Sequence, residues 1–83
     1  MNFIADITVM PHEQLLDPQG KAVEMGLKLL DLKGLSSVRV GKHIRLKVEA
    51  DSEKEAEMLV RKASEQLLAN PVMEYFTFKL NQS

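Results

Sequence analysis

The segment Val38-Arg39-Val40-Gly41-Lys42-His43-Ile44-Arg45-Leu46-Lys47-Val48 alternates apolar and polar residues, the period-two pattern of strands with one buried and one open face. Its apolar side chains stand at 38, 40, 44, 46 and 48, and Gly41 interrupts them. Glycine there supplies a turn, so two strands joined as a β-hairpin are expected. A two-residue turn at Gly41-Lys42 would set Val40 opposite His43 and put the two apolar sets on opposite faces. A three-residue turn, Gly41-Lys42-His43, sets Val40 opposite Ile44 and Val38 opposite Leu46. Because a slip of one residue flips every side chain, the three-residue turn is the expected register. One long bent strand bulged at Gly41 is the alternative.

The rest of the chain pairs off around this segment. Phe3 to Met10 reads as a strand with Phe3, Ala5, Ile7 and Val9 on one face, ended by Pro11, which cannot donate to a sheet ladder. Asp17-Pro18 starts a helix: the carboxylate caps free N–H groups and proline suits the first helical position. Val23, Leu27 and Leu30 recur at helical spacing as a core-facing stripe, Gly26 beside them allows close packing on the sheet, and Gly34 closes the helix. Ser52-Glu53-Lys54-Glu55 is a capping box opening a second helix whose inner stripe is Ala56, Leu59, Val60, Ala63 and Leu67. Asn70-Pro71 ends it. Val72 to Leu80 is the last strand, with Phe76, Phe78 and Leu80 inward. The order is βαββαβ within a single domain, residues 1–83. The economical packing is an α+β, ferredoxin-like fold: a four-stranded antiparallel sheet with two helices on one face.

Helices on one face leave the other open. Ile4, Met10, Met73 and Tyr75 are expected there, beside Arg39, His43, Arg45 and Lys47. A contiguous apolar patch of that kind marks an interaction surface. A chain of 83 residues buries only about 60% of its unfolded surface, so a second subunit that covers more would stabilise it. The absence of cysteine rules out a disulfide framework and thiolate zinc sites and fits a reducing compartment. A net charge of −1 without any basic run argues against nucleic acid or an anionic membrane as partner. No apolar run approaches the ~20 residues of a membrane span, and the N-terminus meets Asp6 too early for a signal peptide. A cytoplasmic protein is expected.

Chemistry-bearing constellations are sparse. His12 and His43 are the only histidines and lack metal-ligand spacing, so they read as solvated. Asp51, Glu53, Glu55 and Glu57 form the acidic first turn of a helix, favoured by its dipole. Ser36, Ser37, Ser52 and Ser64 lie in turn, cap or helix contexts without a nucleophile elbow. Val40-Gly41-Lys42 is too little for a phosphate loop. RNA binders of this topology stack bases on aromatics of the central strands, and the open-face residues here, Ile4, Asp6, Thr8, His43, Arg45 and Lys47, offer none. No catalytic or metal site is expected.

Three blocks, Leu16-Asp17-Pro18-Gln19-Gly20-Lys21-Ala22-Val23, Val38-Arg39-Val40-Gly41-Lys42 and Leu68-Ala69-Asn70-Pro71-Val72-Met73-Glu74, closely resemble in order and spacing the PurS family, the small subunit of phosphoribosylformylglycinamidine synthase in purine biosynthesis. The Glu49-Ala50-Asp51-Ser52 passage resembles it too. The resemblance implies a subunit that self-associates, as a dimer or tetramer, and joins a large synthase subunit and a glutaminase subunit. That complex is a carbon–nitrogen ligase; ATP and magnesium would be used by the large subunit, and this chain would bind no cofactor and carry no catalytic residue. On that resemblance Arg39, Gly41, Lys42 and Arg45 are expected at the partner contact, with Gly41 letting backbones approach. Ile4, Met10, Met73 and Tyr75 are expected in self-association. The rival readings are an ACT-like small-molecule-sensing regulatory module and an acylphosphatase-type hydrolase. The latter wants an arginine within a glycine-rich loop after the first strand, and Pro11 to Leu16 has neither.

Overall fold

A computed structural model describes residues 1–83. Strand β1 (Asn2–Pro11) lies at the centre of a three-stranded sheet, flanked by β2 (Lys42–Glu49) and β3 (Glu74–Gln82), both antiparallel to it. The period-two pattern of β1 explains its position: Phe3, Ala5, Ile7 and Val9 are all buried. Their cross-strand partners are Val48, Leu46, Ile44 and Lys42 on one side and Gln82, Leu80, Phe78 and Phe76 on the other.

The expected fourth strand is absent. Residues 36–41 belong to neither helix nor strand, so there is no hairpin at Gly41 and no pairing of Val40 with Ile44. The reason is competition for the ladder donors. The Val38 N–H donates to Glu24 Oε1 at 3.2 Å and the Val40 N–H to Asp17 Oδ2 at 2.8 Å. Carboxylates from the first helix thus take the N–H groups that a sheet edge would need.

That helix, α1 (Pro18–Leu29), begins as its residues require, with Asp17 as cap and Pro18 in the first position. Its end differs from expectation. Leu32 N–H donates to Leu27 O and Asp31 N–H to Lys28 O, a Schellman closure with Asp31 at φ +60° in the place usually taken by glycine. Gly34, also left-handed at φ +88°, lies beyond the end. A larger correction concerns packing. Val23 and Leu30 are exposed, and a Cβ added at Gly26 would meet nothing within 4 Å. The helix forms an arm away from its own sheet, so only one helix covers a sheet face.

Helix α2 (Glu53–Ala63) covers it. Ser52 caps it, its hydroxyl accepting from Glu55 N–H at 3.1 Å. Ala56, Val60 and Ser64 are fully buried against β1 and β2. The helix widens into a π-type turn over Ser64–Leu68, with Ala69 N–H donating to Ser64 O. A wider turn needs one more residue to come round, so Leu68 packs on the core and the expected Leu67 points outward. Leu59, also expected inside, is half exposed.

The arm gives the molecule its proportions, 51 × 26 × 14 Å. Its radius of gyration is 16.3 Å, against about 12 Å for a compact chain of this length. The accessible surface is 6385 Å², roughly 1,400 Å² more than a compact monomer of this mass exposes.

Candidate functional site

Three stretches distant in sequence converge at one end of the sheet: the loop and first turn of α1, the segment 38–41, and the turn 70–74. Asp17 joins the first two. One carboxylate oxygen accepts from Gly20 N–H at 3.1 Å and the other from Val40 N–H at 2.8 Å. The Val40 N–H most of all, then the Gly20 N–H, hold the Asp17 carboxyl below its ordinary range; desolvation opposes them and the Arg39 charge assists. Asp17 is therefore a fixed anion spent on backbone donors.

Gly20 and Gly41 are required by chain crossings here. A Cβ on Gly20 would collide with Val38 O and stand 2.8 Å from Asp17 Oδ2. One on Gly41 would collide with Val9 O and Met10 Sδ. Arg39 crosses the junction, donating from Nη2 to His12 O and to Leu15 O, the latter at 2.8 Å. Its Nε is buried without a partner. The third stretch is self-braced: Asn70 Oδ1 accepts from Val72 N–H at 3.0 Å, and Glu74 Oε1 accepts from Asn70 N–H at 2.8 Å. It is tied to β1 by His12 N–H donating to Met73 O at 2.9 Å. A shallow cleft lined by Leu16, Asp17, Val40, Asn70 and Met73 marks where all three meet.

The uncovered sheet face carries the other residues of interest. Ile4, Asp6, Thr8 and Met10 of β1 alternate with its buried set, opposite Lys47, Arg45 and His43 on β2 and Asn81, Lys79, Thr77 and Tyr75 on β3. Asp6 accepts from Arg45 Nε at 2.6 Å and lies 3.1 Å from His43 Nε2. Arg45, then His43, lowers the Asp6 pKa, and Asp6 in turn raises that of Arg45. The Tyr75 ring sits 5.7 Å from that of His12.

The structure thus brings Ile4, Met10, Tyr75 and Arg45 onto one face. Met73 belongs to the turn before β3, and Lys42 begins β2. Arg39 and Gly41 have internal contacts that account for both residue types. The residues that sequence reasoning did not single out as a group are Asp17, Gly20, Glu24 and Asp6. The capping role of Asp17 was visible; its second acceptor role depends on a contact 23 residues away. No group of three or more His, Asp or Glu side chains is placed to hold a metal ion, and no helix is long and apolar enough to cross a membrane.

These features define a small α+β module with a braced junction at one end, an arm, and an uncovered antiparallel sheet. The family model for PurS, described as phosphoribosylformylglycinamidine (FGAM) synthase, matches residues 4–82. The PurS subunit of phosphoribosylformylglycinamidine synthase from Synechocystis is 42% identical over 74 residues, 89% of this chain and 72% of that one. The crystal structure of the PurS subunit from Thermotoga maritima superposes with a TM-score of 0.88 at 34% identity, covering 96% of this chain and 92% of that one. A chain in the structure of PurLQS from Thermotoga maritima gives the same TM-score and identity over 96% and 98%. The chain belongs to the PurS family.

Proposed function

We propose that this chain is the small, non-catalytic subunit of phosphoribosylformylglycinamidine synthase. It joins the ATP-dependent synthase subunit to the glutaminase subunit in de novo purine biosynthesis, in the cytoplasm. ATP and magnesium are used by the synthase subunit, and this chain binds neither. The likeness to a chain of the Thermotoga maritima PurLQS structure over nearly the whole length supports the assignment. Its task is geometric. Ammonia released at one active site must reach another without escaping to water, and fixed placement of two reacting centres is worth many orders of magnitude in rate.

The observation that carries this reading is the surplus surface. A monomer exposing 6385 Å², roughly 1,400 Å² above the expectation for its mass, is shaped to be covered. The chain self-associates as a dimer or tetramer. Ile4, Met10 and Tyr75 on the uncovered face, with Met73 in the adjoining turn, serve self-association, while Lys42 and Arg45 face the larger subunits. Arg39 and Gly41 act there indirectly, by shaping the junction that presents Lys42. Size-exclusion chromatography with both larger subunits, with and without glutamine and ADP, tests the reading. A ternary complex is expected. Failure of the chain to co-elute with either subunit under every condition would overturn it.

A further inference from the structure

The two free edges of the sheet offer different things, and the difference follows from which residues spend their main-chain groups on β1. Ala50 N–H donates to Met1 O, Ser83 N–H to Asn2 O and His12 N–H to Met73 O. Bonded pairs alternate with non-bonded ones along an antiparallel ladder. In the observed registers, even-numbered residues of β2 and odd-numbered residues of β3 therefore bond to β1. The outward main-chain groups of β2 belong to His43, Arg45, Lys47 and Glu49. Those of β3 belong to Phe76, Phe78, Leu80 and Gln82, while Glu74 N–H turns back to Asn70 O.

Charged side chains blunt an edge against the addition of another strand, and β2 is blunted in this way. The β3 edge is not. It is nine residues long, without proline, and after Glu74 its one charged residue is Lys79. No strand lies beyond it, and its outward N–H groups find no acceptor elsewhere in the chain. From Phe76 to Gln82 it runs about 20 Å. Phe76, Phe78 and Leu80 are only partly buried against the core, with the two rings 6.4 Å apart. Apolar side chains of an added strand would extend that row.

We infer that an extended acidic segment of one of the two larger subunits adds to the β3 edge as a further strand. This rests on the bridging role proposed above and says by which surface one partner is held. Main-chain bonds supply affinity in such an addition, and flanking pockets supply specificity. Charge selects the occupant. Lys79 has no ion-pair partner, since both ion pairs of the chain belong to Asp6, and a carboxylate on the neighbouring strand would complement it. A second copy fits less well. Its β2 edge would bring His43, Arg45 and Lys47 towards Lys79, and its β3 edge a second Lys79. A hollow of about 370 Å³ at the Phe76 end has apolar walls in Ala69, Pro71 and Phe76. Glu65 and Glu74 also line it, so the segment's apolar anchor belongs there and its acidic residues further along, beside Lys79.

Hydrogen–deuterium exchange at single-residue resolution tests this, on the chain alone and in its complex with both larger subunits in the presence of glutamine and ADP. The Phe76, Phe78 and Leu80 amides are expected to exchange about a hundredfold more slowly in the complex. Those of Thr77 and Lys79, already bonded to β1, should change less. In parallel, Thr77→Glu with Lys79→Glu is expected to weaken co-elution about tenfold, whereas Thr77→Lys is not, and circular dichroism should be unaltered in both. A complex in which the Phe76, Phe78 and Leu80 amides exchange as fast as in the free chain would overturn strand addition and leave the bridging role standing. Protection that appears in the chain alone and rises with its concentration would assign the edge to a second copy and overturn the acidic partner. Failure to form any complex would overturn both readings.

Discussion

Val40, 23 residues beyond Asp17, donates its N–H to Asp17 Oδ2 at 2.8 Å, while the other oxygen caps α1 through Gly20. One carboxylate thus starts a helix and removes a segment from a sheet. Asp17→Asn keeps the shape and a capping oxygen but loses the second anionic acceptor, so a lower thermal midpoint is expected at neutral pH. The folded pKa of Asp17 is depressed. Its stabilisation is therefore complete above the unfolded value of about 4 and fades as pH falls through the lower folded value. Urea midpoints of wild type and Asp17→Asn should differ at pH 7 and approach one another below about pH 4. A gap that stays constant into strong acid would refute the assigned contact.

Gly20→Ala and Gly41→Ala each force a Cβ onto main-chain oxygen, Val38 O in one case and Val9 O in the other. Backbone cannot give way as a flexible side chain can. Each substitution is expected to cost about 1–3 kcal/mol, in the range of overpacked sites, measured by denaturant unfolding of the intact assembly. Alanine tolerated without loss at either position would mean that the crossing is looser than described.

Ser64 is fully buried and its hydroxyl has no partner. An unsatisfied buried hydroxyl costs free energy that a methyl does not. Ser64→Ala is expected to stabilise the protein by about 1 kcal/mol, read as a higher denaturant midpoint with unchanged slope. A destabilised variant would show that the hydroxyl has a partner after all.

Asp31 closes α1 at φ +60°, a conformation that costs a residue with a Cβ roughly 1–2 kcal/mol and glycine almost nothing. After the greater unfolded-chain entropy of glycine is subtracted, Asp31→Gly should raise stability by about 0.5 kcal/mol. Asp31→Val, β-branched at a left-handed position, should lower it.

Charge reversal at Lys42 and Arg45 together tests the bridging role. The double variant is expected to lose co-elution with the larger subunits and glutamine-dependent activity several-fold, while ammonia-dependent activity falls less. The exposed native ion pair of Arg45 with Asp6 contributes little to the fold, so circular dichroism should be unaltered. Equal activity with both nitrogen sources would count against the assigned surface.

Elements governed by near neighbours were legible from residues alone. The faces of β1, the Asp17-Pro18 start and the Ser52 capping box all depend on residues within one turn or one pleat. The fate of Val38-Arg39-Val40 was not, because its alternation reads as a strand while the acceptors that claim its N–H groups come from Asp17 and Glu24. Leu67 and Leu68 exchanged roles because the π-type turn changes the period within the helix. The stripe Val23, Leu27 and Leu30 announces a helix that buries one side; nothing in such a pattern says which sheet it meets. The blocks that carry the family resemblance lie far apart in sequence, and only folding shows that they share a junction.

The placement of β1 between its two partners has a bearing on how the chain acquires its shape. Phe3 pairs with Val48 and with Gln82, so β1 is synthesised before both of its neighbours. Contacts that span so much of the chain form slowly compared with helix closure. Until β2 and then β3 have emerged from the ribosome, β1 presents unsatisfied edges and an apolar row to any passing polypeptide. Such exposed edges are the aggregation-prone feature of unfinished chains, and the arrival of β3, more than any local nucleus, sets the moment at which the sheet is complete.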